Sequence, residues 1–231
     1  MHIGLIGGIG VAATLVYYQR LVTAAAERGV AKLDLTIVHG DIQTLIRNNL
    51  ADQREEQARE FLPLVERLRG AGCGCVAITS IGGQFCANEL AAISPLPVVS
   101  GVVPLDAYFA DQGIGAVGLL GTRLTMRSRL YGQLSRTNAL ALDDEIDLIG
   151  QTYQDVAVSG ACTAEQRALF FDAGRRLIAA GADAIVLAGT DLGLAFDGHD
   201  PGFPVIDALD VHVAVLADLA AGRVGISEVS L

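Results

Sequence analysis

The sequence predicts an α/β protein of two pseudo-symmetric, Rossmann-like domains, each with a parallel sheet, separated by an interdomain cleft. Three observations carry that reading: an aliphatic composition, alternation of short apolar runs with helical patterns, and an internal correspondence between the halves. Of 231 residues, 52% are hydrophobic and only 18% charged, so a sizeable core is available. Trp is absent and aromatics make up 5%, leaving Ala, Val, Ile and Leu to fill it. Strands covered by helices on both faces need that composition.

The elements follow in order. Residues 3–6 form an apolar run before a glycine-rich break, and 12–28 carry a helical pattern. A second strand is expected at 35–38, a charged helix at 54–69, and further strands at 76–78 and 97–99. In the run Asp52-Gln53-Arg54-Glu55-Glu56-Gln57-Ala58-Arg59-Glu60 the charges sit at helical spacing, which reads as a solvated face. The alternation then resumes with strands at 116–120, 184–187 and 204–206, and helices at 127–134, 164–180 and 207–220. Asp143-Asp144-Glu145-Ile146-Asp147 reads as a loop or a helix start, where carboxylates are favourable.

The halves correspond. Ile3-Gly4-Leu5-Ile6-Gly7 matches Val117-Gly118-Leu119-Leu120-Gly121, and the run from Gly72 to Ser80 matches that from Gly181 to Gly189. Two matches in the same order indicate halves of roughly 110 residues. The expected domains are 1–104 together with 208–231, and 105–207. Ligands of parallel sheets bind beyond the carboxyl ends of the strands. Ser80 and Gly189 should therefore face one cleft from opposite sides. Such a cleft can present a group to each face of a flat carbon, as stereoinversion requires.

Net charge is −10, with Lys32 the only lysine, which argues against a nucleic-acid partner. No long uncharged apolar stretch predicts a membrane span, and the strand-like start lacks a signal-peptide pattern, so a cytoplasmic location is expected. Cys73, Cys75, Cys86 and Cys162 lack the spacing of a zinc site and read as buried free thiols.

Four segments resemble the aspartate/glutamate racemase family. They are Gly4-Leu5-Ile6-Gly7-Gly8-Ile9-Gly10-Val11-Ala12-Ala13-Thr14 followed by Tyr17-Tyr18, then Gly118-Leu119-Leu120-Gly121-Thr122-Arg123-Leu124-Thr125-Met126. Gly181-Ala182-Asp183-Ala184-Ile185-Val186-Leu187 comes next, and Pro204-Val205-Ile206-Asp207 with His212 closes the set. The resemblance runs from residue 3 to about 220. It implies cofactor-independent inversion of an acidic amino acid's α-carbon, and a homodimer. In the family a cysteine pair moves the proton, with Thr at the first position in some members. Cysteine suits the task because its pKa of about 8.5 makes both thiol and thiolate accessible.

The same resemblance places Ser80 and Gly189 at the two cysteine positions. It also puts Ile81-Gly82 where the family has Asn-Thr, and Val158 at its carboxylate-holding lysine. Arg47 is then the candidate carboxylate-binding arginine. Ordinary two-cysteine racemisation is not supported on this reading.

The expected site joins Ser80 and His212 as acid/base candidates with Gly8, Gly10, Arg47, Gln84, Thr122, Thr125, Thr190 and Asp191 as substrate-binding residues. Gly8-Ile9-Gly10-Val11-Ala12-Ala13 fits a dinucleotide fingerprint, but Asp41 lies too far on to be its ribose partner. A helix N-terminus that receives a carboxylate or phosphate is the preferred reading, with Thr122 and Thr125 as the matching anion turn or simple helix caps. His39 and Asp41 are either cleft-edge groups or loop residues. Asp191 is expected to support the site by hydrogen bonding. No cofactor and no metal are expected, and the ligand is a small carboxylate. Three functions remain open: a racemase-family enzyme working through a carbanion or enolate, a binding pseudoenzyme, and an NAD(P)-dependent enzyme.

Overall fold

The computed structural model describes residues 1–231 and contains two four-stranded, all-parallel sheets. In the first half β1 (His2–Gly7) leads into α1 (Val11–Glu27), then β2 (Asp34–His39), α2 (Ile42–Leu50) and α3 (Arg54–Gly70). β3 (Cys75–Ile78), α4 (Ala87–Ile93) and β4 (Val98–Val99) complete it. The second half opens with α5 (Val103–Asp111), β5 (Ala116–Gly121), α6 (Arg123–Arg127) and β6 (Asn138–Leu140). It continues through α7 (Ile146–Ser159), α8 (Ala164–Ala179), β7 (Ala184–Ala188), α9 (Gly193–Phe196) and β8 (Val205–Asp207). The chain then returns to the first half through α10 (Ala208–Ala220) and α11 (Ile226–Val229).

Strand order is β2-β1-β3-β4 in one sheet and β6-β5-β7-β8 in the other. The register repeats as well. Ile3 pairs with Leu35 and Cys75, and Val117 with Ala139 and Ala184. The internal correspondence in the sequence is thus a repeat of topology.

In the first sheet β1 and β3 are buried on both faces, while β2 forms a partly exposed edge. Phe61, Val65 and Leu68 of α3 cover one side, spaced for a single helical stripe. Tyr17 and Leu21 of α1 cover the other, with Leu209, Val213 and Leu216 of α10. The solvent face of α3 carries the predicted charge run, with its Arg59–Glu56 pair, and a further Arg69–Glu66 pair beyond it. In the second half Phe170 and Leu177 of α8 pack with Ile149 and Val156 of α7 around β5 and β7.

The helix predicted at 127–134 does not form. After α6, Arg129, Leu130 and Tyr131 take positive φ of 52°, 55° and 62°. Tertiary anchoring holds this turn: Leu130 is fully buried, and the Tyr131 hydroxyl donates to the Ile81 carbonyl at 2.9 Å. β6, α2, α5, α9 and α11 have no counterpart among the expected elements, and α7 is anticipated only as far as the loop or helix start at 143–147. α7 had a readable stripe, Ile146, Ile149, Tyr153 and Val156, behind the acidic start at Asp143–Glu145. No helix is long and apolar enough to cross a membrane.

Candidate active site between the halves

An open cleft, about 490 Å³ when the solvent space at its mouth is included, lies where the strand ends of the halves meet. Ser80 and Gly82 after β3 form part of one wall, and Thr122, Arg123 and Asp191 part of the other. The walls approach closely: a Cβ added to Gly82 would lie 2.8 Å from Thr122 Cγ2. Two helices that the sequence did not delimit contribute much of the lining. α2 brings Ile42, Leu45, Ile46 and Asn49, and α7 brings Gly150, Tyr153, Gln154 and Ala157.

Ser80 is buried, and its Oγ accepts the Gly83 N–H at 3.1 Å in the tight turn after β3. Its hydroxyl proton stays free to donate. Gly82 is fixed through its carbonyl, which accepts from Asn49 Nδ2 at 3.0 Å.

Across the cavity, Asp191 accepts from the Ala13 N–H at 3.3 Å and from the Tyr153 hydroxyl at 3.3 Å. Ala13 belongs to the first turn of α1, in the other half. Asp191 therefore caps that helix across the cleft. Burial raises its pKa to about 6, opposed by the Ala13 and Tyr153 hydrogen bonds. The Tyr153 hydroxyl is itself pushed well above its ordinary range, first by burial and then by the Asp191 charge.

The Tyr153 ring also occupies the space beside Gly189. A Cβ there would collide with the ring, so no larger side chain fits without moving it.

Several expected site residues lie elsewhere, each for a local reason. His212 is completely buried, edge-on to the Tyr17 ring with centroids 5.7 Å apart, and does not line the cavity. Burial lowers its pKa to about 4, and neither ring nitrogen makes a hydrogen bond of normal geometry. It is a neutral core histidine. Gln84 is buried too, donating to the Ile78 carbonyl at 3.1 Å and accepting the Gly101 N–H at 3.2 Å, which ties β3 to the chain after β4. Arg47 is exposed on the outer side of α2, bordering a groove with Asp52 and Glu56.

Thr122 lines the cavity, and its Oγ1 also accepts the Thr125 N–H at 3.1 Å as the cap of α6. Thr125 is fully buried behind it, and Thr190 is buried with an unpartnered hydroxyl off the cavity wall. Gly8 and Gly10 shape the turn into α1 but stand off the wall as well. Gly8 donates its N–H to Thr14 Oγ1 at 2.9 Å, and a Cβ on Gly10 would lie 2.6 Å from Asp191 Oδ2. The anion site expected between the two glycine and threonine turns is thus taken at α1 by the protein's own carboxylate. A pyrophosphate bound at that helix end would meet the same group.

Asp41, read as a cleft-edge or loop residue, caps α2 by accepting the Thr44 N–H at 2.8 Å. Cys73, Cys75 and Cys86 are buried, and Cys162 is half-buried; all four are free thiols. Burial raises the Cys75 thiol to about 11. No group of three or more His, Cys, Asp or Glu side chains stands ready to hold a metal ion.

The fold is shared with solved racemases. An aspartate racemase homologue from Pyrococcus horikoshii OT3 is 20% identical, with 95% of this chain and 99% of that one covered at a TM-score of 0.74. The Picrophilus torridus aspartate racemase is 18% identical over 96% and 95%, with a TM-score of 0.77. A glutamate racemase from Campylobacter jejuni subsp. jejuni is 15% identical over 97% and 86%, at 0.63. At these identities the likeness is one of fold. Membership rests on the sequence model for Asp/Glu/hydantoin racemases, which matches residues 6–216 and so takes in both halves and the cleft between them. The chain belongs to the Asp/Glu/hydantoin racemase family.

Proposed function

We propose that this protein catalyses cofactor-independent carbon-acid chemistry on a small carboxylate, with Asp191 as its acid/base group in place of a cysteine at position 189. The observation that carries the reading is the Tyr153–Asp191 pair: the ring fills the space beside Gly189 while the hydroxyl holds a buried cavity-wall carboxylate. A group with a pKa of about 6 can both take and return a proton near neutrality.

In the proposed step the Asp191 carboxylate removes the proton from the carbon beside the substrate carboxylate. The C–H electron pair moves into that carboxylate, giving an enolate, and Asp191 later returns the proton to carbon. The Ser80 hydroxyl, free to donate on the facing wall, stabilises the enolate oxygen. Two-sided inversion by a cysteine pair has no counterpart in Ser80 and Gly189, so L-aspartate and L-glutamate are not expected to turn over at ordinary enzyme rates.

Solvent deuterium exchange at carbon, followed by NMR over a panel of small carboxylates, tests the proposal. Exchange should fall as pH drops below about 6, because the base is then protonated. Asp191→Asn should lower it on the order of 10²-fold or more. Tyr153→Phe should move the acidic limb upward, since the hydroxyl's hydrogen bond lowers the Asp191 pKa. Exchange untouched by Asp191→Asn would sink the assignment. Binding of carboxylates with no exchange at all would favour a non-catalytic binding protein.

A further inference from the structure

We infer that the cleft takes a monocarboxylate whose remaining substituent is apolar, a branched aliphatic or aryl group, and not a dicarboxylate. The inference rests on reading this cavity as the substrate site. It begins with α2, whose residues Ile42, Leu45, Ile46, Asn49 and Leu50 follow one helical face and all line the cavity. Ile9 and Ala157 extend that apolar wall from α1's entry turn and from α7. Leu50 remains 55% exposed, and Ile42 and Ile46 are only half-buried. An apolar ligand group would shield from water the part of this wall that faces the cavity, whereas a carboxylate laid against it would lose its hydration without a partner.

The charged groups point the same way. Arg123 is the only cation lining the cavity, opposite one anion, Asp191. The guanidinium is already engaged, donating to Gln151 Oε1 at 2.7 Å and Gln154 Oε1 at 3.2 Å, with Asp147 3.3 Å from Nε. Two of its five N–H groups remain for one ligand carboxylate. A second carboxylate finds no other charge. Arg47 is on the far side of α2, and the N-terminus of α1 is capped by Asp191.

The matched probes are 4-methylpentanoate and succinate, which differ by an isopropyl group in place of a carboxylate. Calorimetric titration of the full-length protein should show 4-methylpentanoate binding on the order of 10²-fold more tightly. Ile46→Lys places a cation on the apolar wall at a half-buried position and should shift the ratio toward succinate by at least ~10-fold. Succinate binding as tightly as 4-methylpentanoate to the wild type would overturn the substrate class and leave the carbon-acid reading standing. A preference for 4-methylpentanoate that Ile46→Lys leaves unchanged would likewise overturn it, by placing the ligand away from α2. If neither probe binds at up to ~10 mM, the cavity itself is misassigned and both readings fall.

Discussion

The helices that follow β1 and β5 occupy equivalent places in the two halves, yet their N-termini are completed in different ways. At α6, Thr122 caps its own helix through the Thr125 N–H, a local solution available to an isolated segment. At α1, the cap position is Gly10, with φ of 133° and no side chain to offer. The missing acceptor comes from Asp191, 178 residues away from Ala13 in sequence. One helix end is a property of its half, and the other of the assembled pair. A repeated fold can therefore fill equivalent anion sites with a side chain of its own in one half and a group from across the cleft in the other.

The largest effect should come from Gly10→Ala. The left-handed backbone and the 2.6 Å approach to Asp191 Oδ2 together should cost about 2–4 kcal/mol in chemical denaturation. A loss below ~0.5 kcal/mol would show that the α1 cap does not require this geometry.

Gly189→Cys comes next and compares the turns after β3 and β7. The Tyr153 ring leaves no room at 189, so overpacking of about 1–3 kcal/mol is expected. Adding Tyr153→Ala should recover part of it in a double-mutant cycle, whereas simple additivity would separate the two residues energetically.

Thr122→Val should be mildest, about 1 kcal/mol, because only a local cap is lost. If it matched Gly10→Ala, the contrast between a local and a cross-cleft cap would fail.

Much of the first half was legible because its elements announce themselves locally. The stripe of α3 and the Gly-bounded runs of β1 and β3 need only period and punctuation. Ser80, Thr122 and Asp191 stand where strand ends meet, so a strand-by-strand reading brings them to the cavity wall. His212 misled because a histidine on an amphipathic helix looks alike whether it faces a cleft or a core. Its place is decided by the packing of α10 on Tyr17. Arg47 misled for the converse reason: α2 turns its apolar side to the cavity, and its arginine outward.

The sequence by itself determined the alternation of strands and helices, the repeat of one half by the other, and the family, since these rest on local periodicity and on ordered motifs. Only the tertiary structure decided what the cleft contains. The Asp191 cap on α1, the Tyr153 ring beside Gly189 and the apolar face of α2 bring together groups distant in the chain. Burial then gives Asp191 its raised pKa, because the cost of charging a carboxylate depends on the surroundings that the whole fold assembles.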